Sequence, residues 1–429
     1  MYSYPHKTAY RKLENISFRD YVHTLSGAGH SLYLHIPFCE SKCGYCNLFS
    51  VTGLTDDFFE KYTSAVIRQI KQFGEIIPAD TVFEDITVGG GTPLLMNEHF
   101  LGQIFENIFR YLPVKKDCSI VIETAPEQTT EEKVRFLKSL GVTRVSMGIQ
   151  SFDDSELRWL RRYHSSESAL RAASVLNNSG FKCLNFDFIY GLPSQTEKSL
   201  ISSLRKALEF SPDEIFLYPL YIKHGVKLMS EKNVPDPEHT FRLYECGRRF
   251  LNDNGFFQSS MRRFTKEKNT SFSECGMKSS ISLGCGGRSY LGNLHACTPY
   301  RTDRCSAVAE LESFISTEDY MKINHGIILD DDELRRRYAI RHAFIFPGIS
   351  TEVYRERFKR KFTDDFPVFK KWIQEGYFSE KDGMITLTET GMGLSDMLGP
   401  ELISEKIKNR MLEWEIKKWI EKRWCTEEA

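Results

Sequence analysis

Apolar residues in the first half of the chain occur in short runs, with longer stretches of mixed polarity between them. The runs are rich in β-branched, aromatic and aliphatic residues and predict strands. The stretches at 129–141 and 165–180 begin with Thr or Ser and end at a glycine, as capped helices do. The predicted strands are 32–37, 85–91, 119–126, 144–150, 183–191 and 214–220.

Strands that alternate with helices form βαβ units and a parallel sheet. The six predicted strands are too few to close an eight-stranded barrel. The pattern therefore leaves two architectures open, an open doubly wound sheet and a partial barrel.

Cysteine, glycine and polar residues follow the predicted strands or end them. Because the carboxyl ends of parallel strands meet at one edge, where α/β proteins bind their ligands, we expect these residues to converge on one mouth. They are Cys39, residues 89–92, Glu123, Gln150 and Gly191.

After residue 300 the pattern changes. A charged helix over 330–345, two short helices and a β-ribbon over 384–391 predict a small winged-helix-like domain. We interpret it as a packing module, because winged folds are often reused without DNA. Residues 401–424 predict an amphipathic helix that docks on its own protein. Its apolar stripe comprises Ile403, Ile407, Met411, Trp414 and Trp419.

The composition limits the kinds of partner that we expect this protein to bind. The chain has 429 residues, of which 27% are charged, and a formal net charge of -1, so no global field draws it to nucleic acid or an anionic membrane. The N-terminus lacks the apolar core of a signal peptide, and no uncharged apolar run reaches the roughly 18 residues that cross a bilayer. We expect a cytoplasmic protein with no nucleic-acid or membrane partner, in which the 11 cysteines stay reduced.

Three of these cysteines, Cys39, Cys43 and Cys46, lie in the segment FCESKCGYCN at 38–47. Together with His35 they would complete a zinc cage, although structural zinc sites usually pair their ligands across a longer loop. Alternatively, three thiolates would hold a [4Fe–4S] cluster and leave one iron open to a substrate or cofactor. The triplet alone leaves both interpretations open.

The segment CESKCGYC resembles the CxxxCxxC signature of radical S-adenosylmethionine (SAM) enzymes. With YLHIPF, GGGTP, IETAP, RVSMGIQSF and NFDFIYGLPSQT, it resembles the oxygen-independent coproporphyrinogen III oxidase-like (HemN/HemW-like) family over residues 30–220. The resemblance implies an α/β fold, a partial (β/α)6 TIM-like barrel with a C-terminal winged-helix-like α domain. It also implies a [4Fe–4S] cluster and one or two molecules of SAM. Cleavage of SAM would give a 5′-deoxyadenosyl radical that abstracts hydrogen from an organic substrate.

By position, the resemblance assigns the catalytic cluster to Cys39, Cys43 and Cys46, and the cleaved SAM to Tyr33, Gly90 and Glu123. It further implies a small-molecule substrate, with a porphyrinogen or another tetrapyrrole as the first candidate. A low-potential electron donor such as flavodoxin or ferredoxin is also implied. The contacts of a second SAM would be Tyr45, Gly91, Thr92, Gln150, Arg162 and Asp187.

The first residues, YSYPHKTAY at 2–10, resemble the N-terminal segment that helps to cover the substrate in the oxidases. We therefore predict three segments. Residues 1–30 would cover the mouth of the barrel, 31–300 would form the radical SAM barrel and its extension, and 301–429 would form the C-terminal domain.

The segment FQSSMRRFTKEK at 257–268 departs from the family pattern and is basic. If Arg262, Arg263 and Arg288 face the cavity, they would suit a substrate with carboxylates or phosphates. Two alternatives to an oxidase-like activity stay open. One is a HemW-like haem-binding chaperone, and the other is a HemN-like methyltransferase or cyclase that acts on a natural product.

Four further cysteines fall within a short stretch and raise the question of a second cluster. Their spacing lacks the close CxxC pairs that are usual for such a site, so we interpret them as scattered thiols. They are Cys275, Cys285, Cys297 and Cys305.

Overall fold

The computed structural model describes residues 4–222, 226, 228, 236–267, 277–301 and 303–427, with side chains up to residue 418. The chain forms two compact units. The sheet unit consists of Arg11–Leu251 and Lys278–Ile327, and the helical unit consists of Met1–Tyr10, Asn252–Met277 and Ile328–Ala429.

The strands, in chain order, are β1 Arg11–Ser17, β2 His30–Ile36, β3 Phe38–Cys39, β4 Val51–Thr52, β5 Phe83–Gly90, β6 Val114–Thr124, β7 Arg144–Gln150, β8 Cys183–Tyr190, β9 Glu214–Pro219, β10 Phe257–Gln258, β11 Arg263–Thr265, β12 Ser280–Leu283, β13 Arg288–Leu291, β14 Leu294–Cys297, β15 Lys322–Ile328, β16 Ile349–Ser350, β17 Phe378–Lys381 and β18 Met384–Leu387.

The α-helices are α1 Asp56–Ile76, α2 Glu98–Tyr111, α3 Glu131–Ser139, α4 Asp154–Trp159, α5 Ser166–Asn177, α6 Glu197–Leu208, α7 Pro237–Asp253, α8 Arg304–Ser316, α9 Asp331–Ala343, α10 Thr351–Phe358, α11 Phe362–Asp365, α12 Val368–Gln374, α13 Glu389–Gly393, α14 Ser395–Glu401 and α15 Glu405–Glu427.

The six predicted strands are confirmed as β2 and β5–β9. They lie side by side in chain order, and each pairs in parallel with the next. A doubly wound sheet would reverse its strand order at a switch point, which this run of strands does not do. The observed order is that of a partial (β/α)6 barrel, as predicted. Beyond the prediction, β12 pairs in parallel with the other side of β2 and continues the sheet into β13, β14, β15 and β1.

The predicted helix caps on either side of β7 are present. The Thr130 and Ser165 side chains each accept a hydrogen bond from a backbone amide in the first turn of α3 and α5. Each helix is followed by a glycine with positive φ, Gly141 at 79° and Gly180 at 65°. A left-handed residue after the last turn closes a helix, and glycine adopts that conformation without strain.

The barrel strands have one apolar and one polar face, because successive side chains point to opposite sides. The apolar face packs under the helices; a Cβ added to Gly247 of α7 would lie 2.9 Å from the Leu217 side chain of β9. The polar face is the inner one. Strand pairing aligns Glu123, Ser146, Asn185 and Glu214 in a single layer across β6–β9.

The helical unit contains a winged-helix-like arrangement, but the predicted ribbon over 384–391 is strand only in β18; its partner is the preceding β17, and α13 follows. Strands β16, β18 and β17 form an antiparallel sheet beside the short helices α10–α12. Its core is aromatic, with the rings of Phe362 and Trp372 each 4.9 Å from the ring of Phe369. Burial of such rings removes a large apolar area from water and stabilises the small domain.

The apolar stripe predicted over 401–424, most of which lies in α15, is partly covered. Ile407 is fully buried, and Ile403, Met411 and Trp414 are partly buried, whereas the side chain of Trp419 lies outside the described residues. Arg410 Nε donates to the carbonyl of Ala9 at 2.7 Å, which joins α15 to the first residues of the chain. No helix in the described ranges is both long and apolar enough to span a membrane.

Candidate functional site

The three cysteines lie in a loop that leaves the carboxyl end of β2. The short strand β3, which ends at Cys39, pairs with β4, so the loop between them is closed at its base. Cys46 N–H donates to the Cys43 carbonyl at 3.2 Å in a tight turn. None of the three thiols forms a disulfide, and each is partly exposed.

Gly91 brings backbone against the first of these cysteines. Its N–H donates to the Ile36 carbonyl at 2.8 Å, and the N–H of Thr92 donates to the Phe38 carbonyl at 2.6 Å. A Cβ added to Gly91 would lie 2.4 Å from the Phe38 oxygen and 2.9 Å from Cys39 Sγ. Only a glycine permits this approach. The Thr92 hydroxyl lies 3.9 Å from the same sulfur.

His35 is packed beneath the loop. Its Nε2 lies 2.9 Å from the Phe49 carbonyl, which can only accept, so Nε2 carries the proton. Its Nδ1 then accepts from the Tyr33 hydroxyl at 3.2 Å. Both ring nitrogens are engaged, and this geometry disfavours His35 as the fourth ligand of a zinc cage. In the portion of the chain that the structure describes, no three Cys, His, Asp or Glu side chains converge as a single-ion metal site.

Glu123 ends β6 and points toward the glycine turn. Gly90, with φ of 118°, donates its N–H to Glu123 Oε2 at 3.2 Å. Burial raises the pKa of Glu123 to about 7; the Gly90 hydrogen bond opposes this shift and the charge of Asp187 adds to it. The carboxylate is therefore poised to bind a cationic or hydroxyl group, which would replace the water it has lost.

Asp187 lies on the inner face of β8. It accepts hydrogen bonds from Asn185 Nδ2 at 2.8 Å and from the Ser146 hydroxyl at 3.3 Å. Burial raises its pKa to about 6 despite these two donors. On β7, the buried Gln150 has a φ of 72° at an irregularity in the pairing with β8. Left-handed backbone in a non-glycine residue concentrates at functional sites.

Arg162 turns inward, although its position in WLRRYHS suits a solvated helix surface. Its Nη1 donates to Cys43 Sγ at 3.2 Å and its Nη2 to the Gly148 carbonyl at 2.7 Å. Burial alone would lower the pKa of Arg162, but Cys43 and the Tyr45 phenol raise it. Tyr45 itself packs on the apolar cluster of Leu160, Ile189, Leu192 and Leu220, and burial raises its pKa.

The structure thus brings the predicted residues together in three groups. Cys39 meets Gly91 and Thr92, Cys43 meets Arg162, and Glu123 meets Gly90. Sequence reasoning missed Ser146 and Asn185, which hold Asp187. The sequence could have indicated Asn185, because the two-residue period of β8 places it on the same face as Asp187.

Other predicted residues have different surroundings. Arg262 belongs to the helical unit, where it is buried and ion-paired with Asp396. Arg263 is also buried in that unit, and Arg288 is partly buried in β13. Cys285 is buried and Cys305 is exposed, while Cys297 lies 4.0 Å from His325. Cys275 lies outside the described residues.

The comparison with protein families identifies the domain. The model described as "Radical SAM superfamily" matches residues 33–207, which include all twelve predicted site residues. Residues 33–207 therefore form a radical SAM domain. Members of this superfamily use a [4Fe–4S] cluster and SAM.

The similar proteins carry the names of a haem chaperone and of an oxygen-independent oxidase. The "Heme chaperone HemW" of Haemophilus influenzae is 29% identical over 60% of this chain and 69% of its own length. The "Oxygen-independent coproporphyrinogen III oxidase" of Paracoccus denitrificans is 28% identical over 58% of this chain and 56% of its own length. The chain therefore matches little more than half of that oxidase. The solved coproporphyrinogen III oxidase HemN of Escherichia coli shares the fold, with a TM-score of 0.80 over 96% of both chains at 20% identity.

The residues of the site fit the cofactors of the superfamily. A cubane cluster takes one thiolate per iron, so its three ligands need not converge on one point as the ligands of a single ion do. Glycine backbone beside Cys39 leaves a space that a Cβ would fill. Arg162 Nε is buried with no hydrogen-bond partner among the described atoms, as expected of a donor that faces a ligand.

Proposed function

We propose that this protein is a radical SAM enzyme whose [4Fe–4S] cluster is held by Cys39, Cys43 and Cys46. The observation that supports it best is the contact between Gly91 backbone and Cys39 Sγ, beside the Gly90–Glu123 hydrogen bond. In this arrangement the Cys39 thiolate, the backbone of Gly90 and Gly91 and the buried Glu123 carboxylate would surround the bound cofactors. When bound, the cluster supplies one electron that cleaves SAM into methionine and a 5′-deoxyadenosyl radical.

The residues around the loop would hold SAM. Glu123 would accept hydrogen bonds from its ammonium or ribose groups, and Gly90 would let its backbone approach. Tyr33, whose hydroxyl is hydrogen-bonded to His35, would be a further contact. Contacts to a second SAM would come from Tyr45, Gly91, Thr92, Gln150, Arg162 and Asp187.

For the substrate we propose a porphyrinogen or another tetrapyrrole, from which hydrogen is abstracted. The oxidase named among the similar proteins supports this choice. A low-potential donor such as flavodoxin or ferredoxin would deliver the electron. Reduced thiols and such a donor suit the cytoplasm.

A second candidate is a haem-binding chaperone. It is favoured by the similar protein named HemW, of which this chain matches 69% at 29% identity. In that case SAM and the cluster would serve transfer of haem rather than turnover of a substrate.

The cleavage chemistry is tested on protein reconstituted with iron and sulfide without oxygen. We expect about four iron and four sulfide ions per chain. With dithionite and SAM, methionine and 5′-deoxyadenosine should form in equal amounts. Cys43→Ser should lose both properties, whereas Cys118→Ser, a buried thiol in β6, should keep them. If the wild-type protein carries the full cluster but never cleaves SAM, the proposed enzymatic function is refuted.

Two further measurements decide the substrate. Mass spectrometry after incubation with porphyrinogens would show a loss of carboxyl groups in an oxidase-like reaction and a gain of methyl groups in a methyltransferase. Titration with haem would show one-to-one binding with little SAM cleavage in a chaperone.

A further inference from the structure

The inner face of the sheet unit contains a buried amide that none of the predicted contacts includes. Asn185 lies on β8 and is 0% exposed. Strand pairing places it in the layer of Ser146 and Glu123, and Asp187 follows two residues later on the same face. Asn185 therefore contacts Asp187 directly and shares its layer with Glu123, two strands away.

The hydrogen bonds of Asn185 fix the orientation of its amide. Nδ2 donates to Ser146 Oγ at 2.7 Å and to Asp187 Oδ1 at 2.8 Å. Ser146 gives its only proton to Asp187 Oδ2 and so accepts from Asn185. A flipped amide would place its oxygen against a carboxylate oxygen, which is repulsive. The amide oxygen, Oδ1, consequently faces away from this network.

Asn185 Oδ1 has no hydrogen-bond partner in the described structure. Burial of an amide oxygen without a donor is unfavourable, and such an atom in a folded protein is usually satisfied by an ordered water, an ion or a ligand. The acceptor therefore calls for an N–H or O–H from outside the protein chain.

The surrounding charge narrows the class of that group. Glu214, the neighbour of Asn185 on β9, is neutralised by an ion pair with Arg144 at 2.6 Å. Glu123 and Asp187 are the other carboxyl groups on this face; burial raises the pKa of each, and a bound cation would favour their charged forms. A positively charged or neutral donor is attracted here, whereas a carboxylate is repelled.

We propose that Asn185 is a ligand-binding residue. Its Oδ1 accepts a hydrogen bond from an ammonium or hydroxyl group of a small molecule bound beside Glu123 and Asp187. The inference rests on the proposed function, because SAM carries both groups: an ammonium in its amino-acid part and hydroxyls in its ribose. The inference also means that the carboxylates of any substrate would bind away from this layer.

The test compares ligand binding by wild-type protein and Asn185→Leu, a substitution of similar size that removes the acceptor. The probes are S-adenosylhomocysteine, which has both groups, and 5′-methylthioadenosine, which lacks the amino-acid part. Equilibrium dialysis should show an affinity for S-adenosylhomocysteine about tenfold lower in Asn185→Leu, the effect of one lost hydrogen bond. The rise in Tm on adding the ligand should shrink in parallel. Loss for both probes indicates a hydroxyl contact, and loss for the first alone indicates an ammonium contact.

Two variants separate this contact from structural effects. Ser146→Ala removes a donor to Asp187 but keeps Asn185 Oδ1, so its affinity should fall less than that of Asn185→Leu. Asn107→Leu, on the distant helix α2, should bind as the wild type does. Should Asn185→Leu not fold, Asn185→Ala takes its place.

The inference is overturned if Asn185→Leu binds both probes with wild-type affinity, or if Ser146→Ala loses as much affinity as Asn185→Leu. Its failure is distinct from that of the proposed function, because SAM cleavage by the wild-type protein is measured separately. A wild-type protein that cleaves SAM while Asn185→Leu binds normally would overturn this inference alone.

Discussion

At the scale of single residues, the missing side chain of Gly91 sets how closely the glycine turn approaches the cysteine loop. We expect Gly91→Ala to bind less cluster, because its Cβ would lie 2.4 Å from the Phe38 oxygen and 2.9 Å from Cys39 Sγ. The first contact involves backbone and cannot relax as a flexible side chain would. Iron and sulfide per chain, measured after reconstitution, should fall well below the wild-type value.

Gly102→Ala is the matched control for this substitution. Gly102 lies in α2, and its added Cβ would be 3.8 Å from the nearest atom of Phe136, an ordinary contact. Alanine in a helix interior is favoured over glycine by about 1 kcal/mol. The control should therefore bind the full cluster, and an equal content in Gly91→Ala would contradict the close approach described here.

Glu123 should give the ligand-free protein a distinctive pH dependence. Burial is the main cause that raises its pKa from 4.5 to about 7, so between these values the folded state binds more protons at this site than the unfolded state. The free energy of unfolding should then decrease as pH rises through this window. Urea denaturation at several pH values should show a shallower decrease for Glu123→Gln. If the free energy of unfolding of Glu123→Gln falls with pH as steeply as that of the wild type, the pH dependence is caused by other groups.

At the scale of elements, a buried ion pair spans three barrel strands. Arg144 on β7 donates from both Nε and Nη2 to Glu214 on β9, across β8, and both side chains are almost fully buried. We expect Arg144→Met to cost about 3–5 kcal/mol, because it leaves a carboxylate buried without its partner. Urea denaturation of Arg144→Met, Glu214→Leu and the double variant would measure the coupling. A double variant no more stable than Arg144→Met would contradict this account.

The sequence predicted the barrel strands well because their signal is local. Six apolar runs with glycine or polar residues at their ends mark β2 and β5–β9 without any knowledge of the partners. The parallel pairing of β12 with β2 depends on residues about 250 positions apart, for which periodicity carries no information. In the site, Arg162 was assigned by the resemblance alone; the local pattern did not show its inward turn, which follows a left-handed residue, Arg161, with φ of 54°. The roles of the predicted site residues stay predictions.

At the scale of the whole molecule, the compact units are not continuous in sequence. The predicted boundaries at residues 30 and 300 follow changes in local pattern, whereas the units depend on contacts between distant segments. The first ten residues belong with Ile328–Ala429 in the helical unit. Whether residues 1–30 cover the mouth of the barrel stays a prediction.

Tyr4 is the clearest link between the two ends of the helical unit. It is 3% exposed, and its hydroxyl donates to Glu333 of α9, which also accepts from the Ser404 hydroxyl at 2.6 Å. Tyr4→Phe removes one donor from a buried carboxylate, which should cost about 1.5–3 kcal/mol. Limited proteolysis should then cut within residues 328–427 sooner than in the wild type, while Tyr111→Phe, an exposed tyrosine of α2, should leave the rate unchanged. If Tyr4 acts only locally at the N-terminus, residues 328–427 should stay as protected as in the wild type. Unchanged cleavage within 328–427 would therefore show that the first residues contribute no stability to this unit.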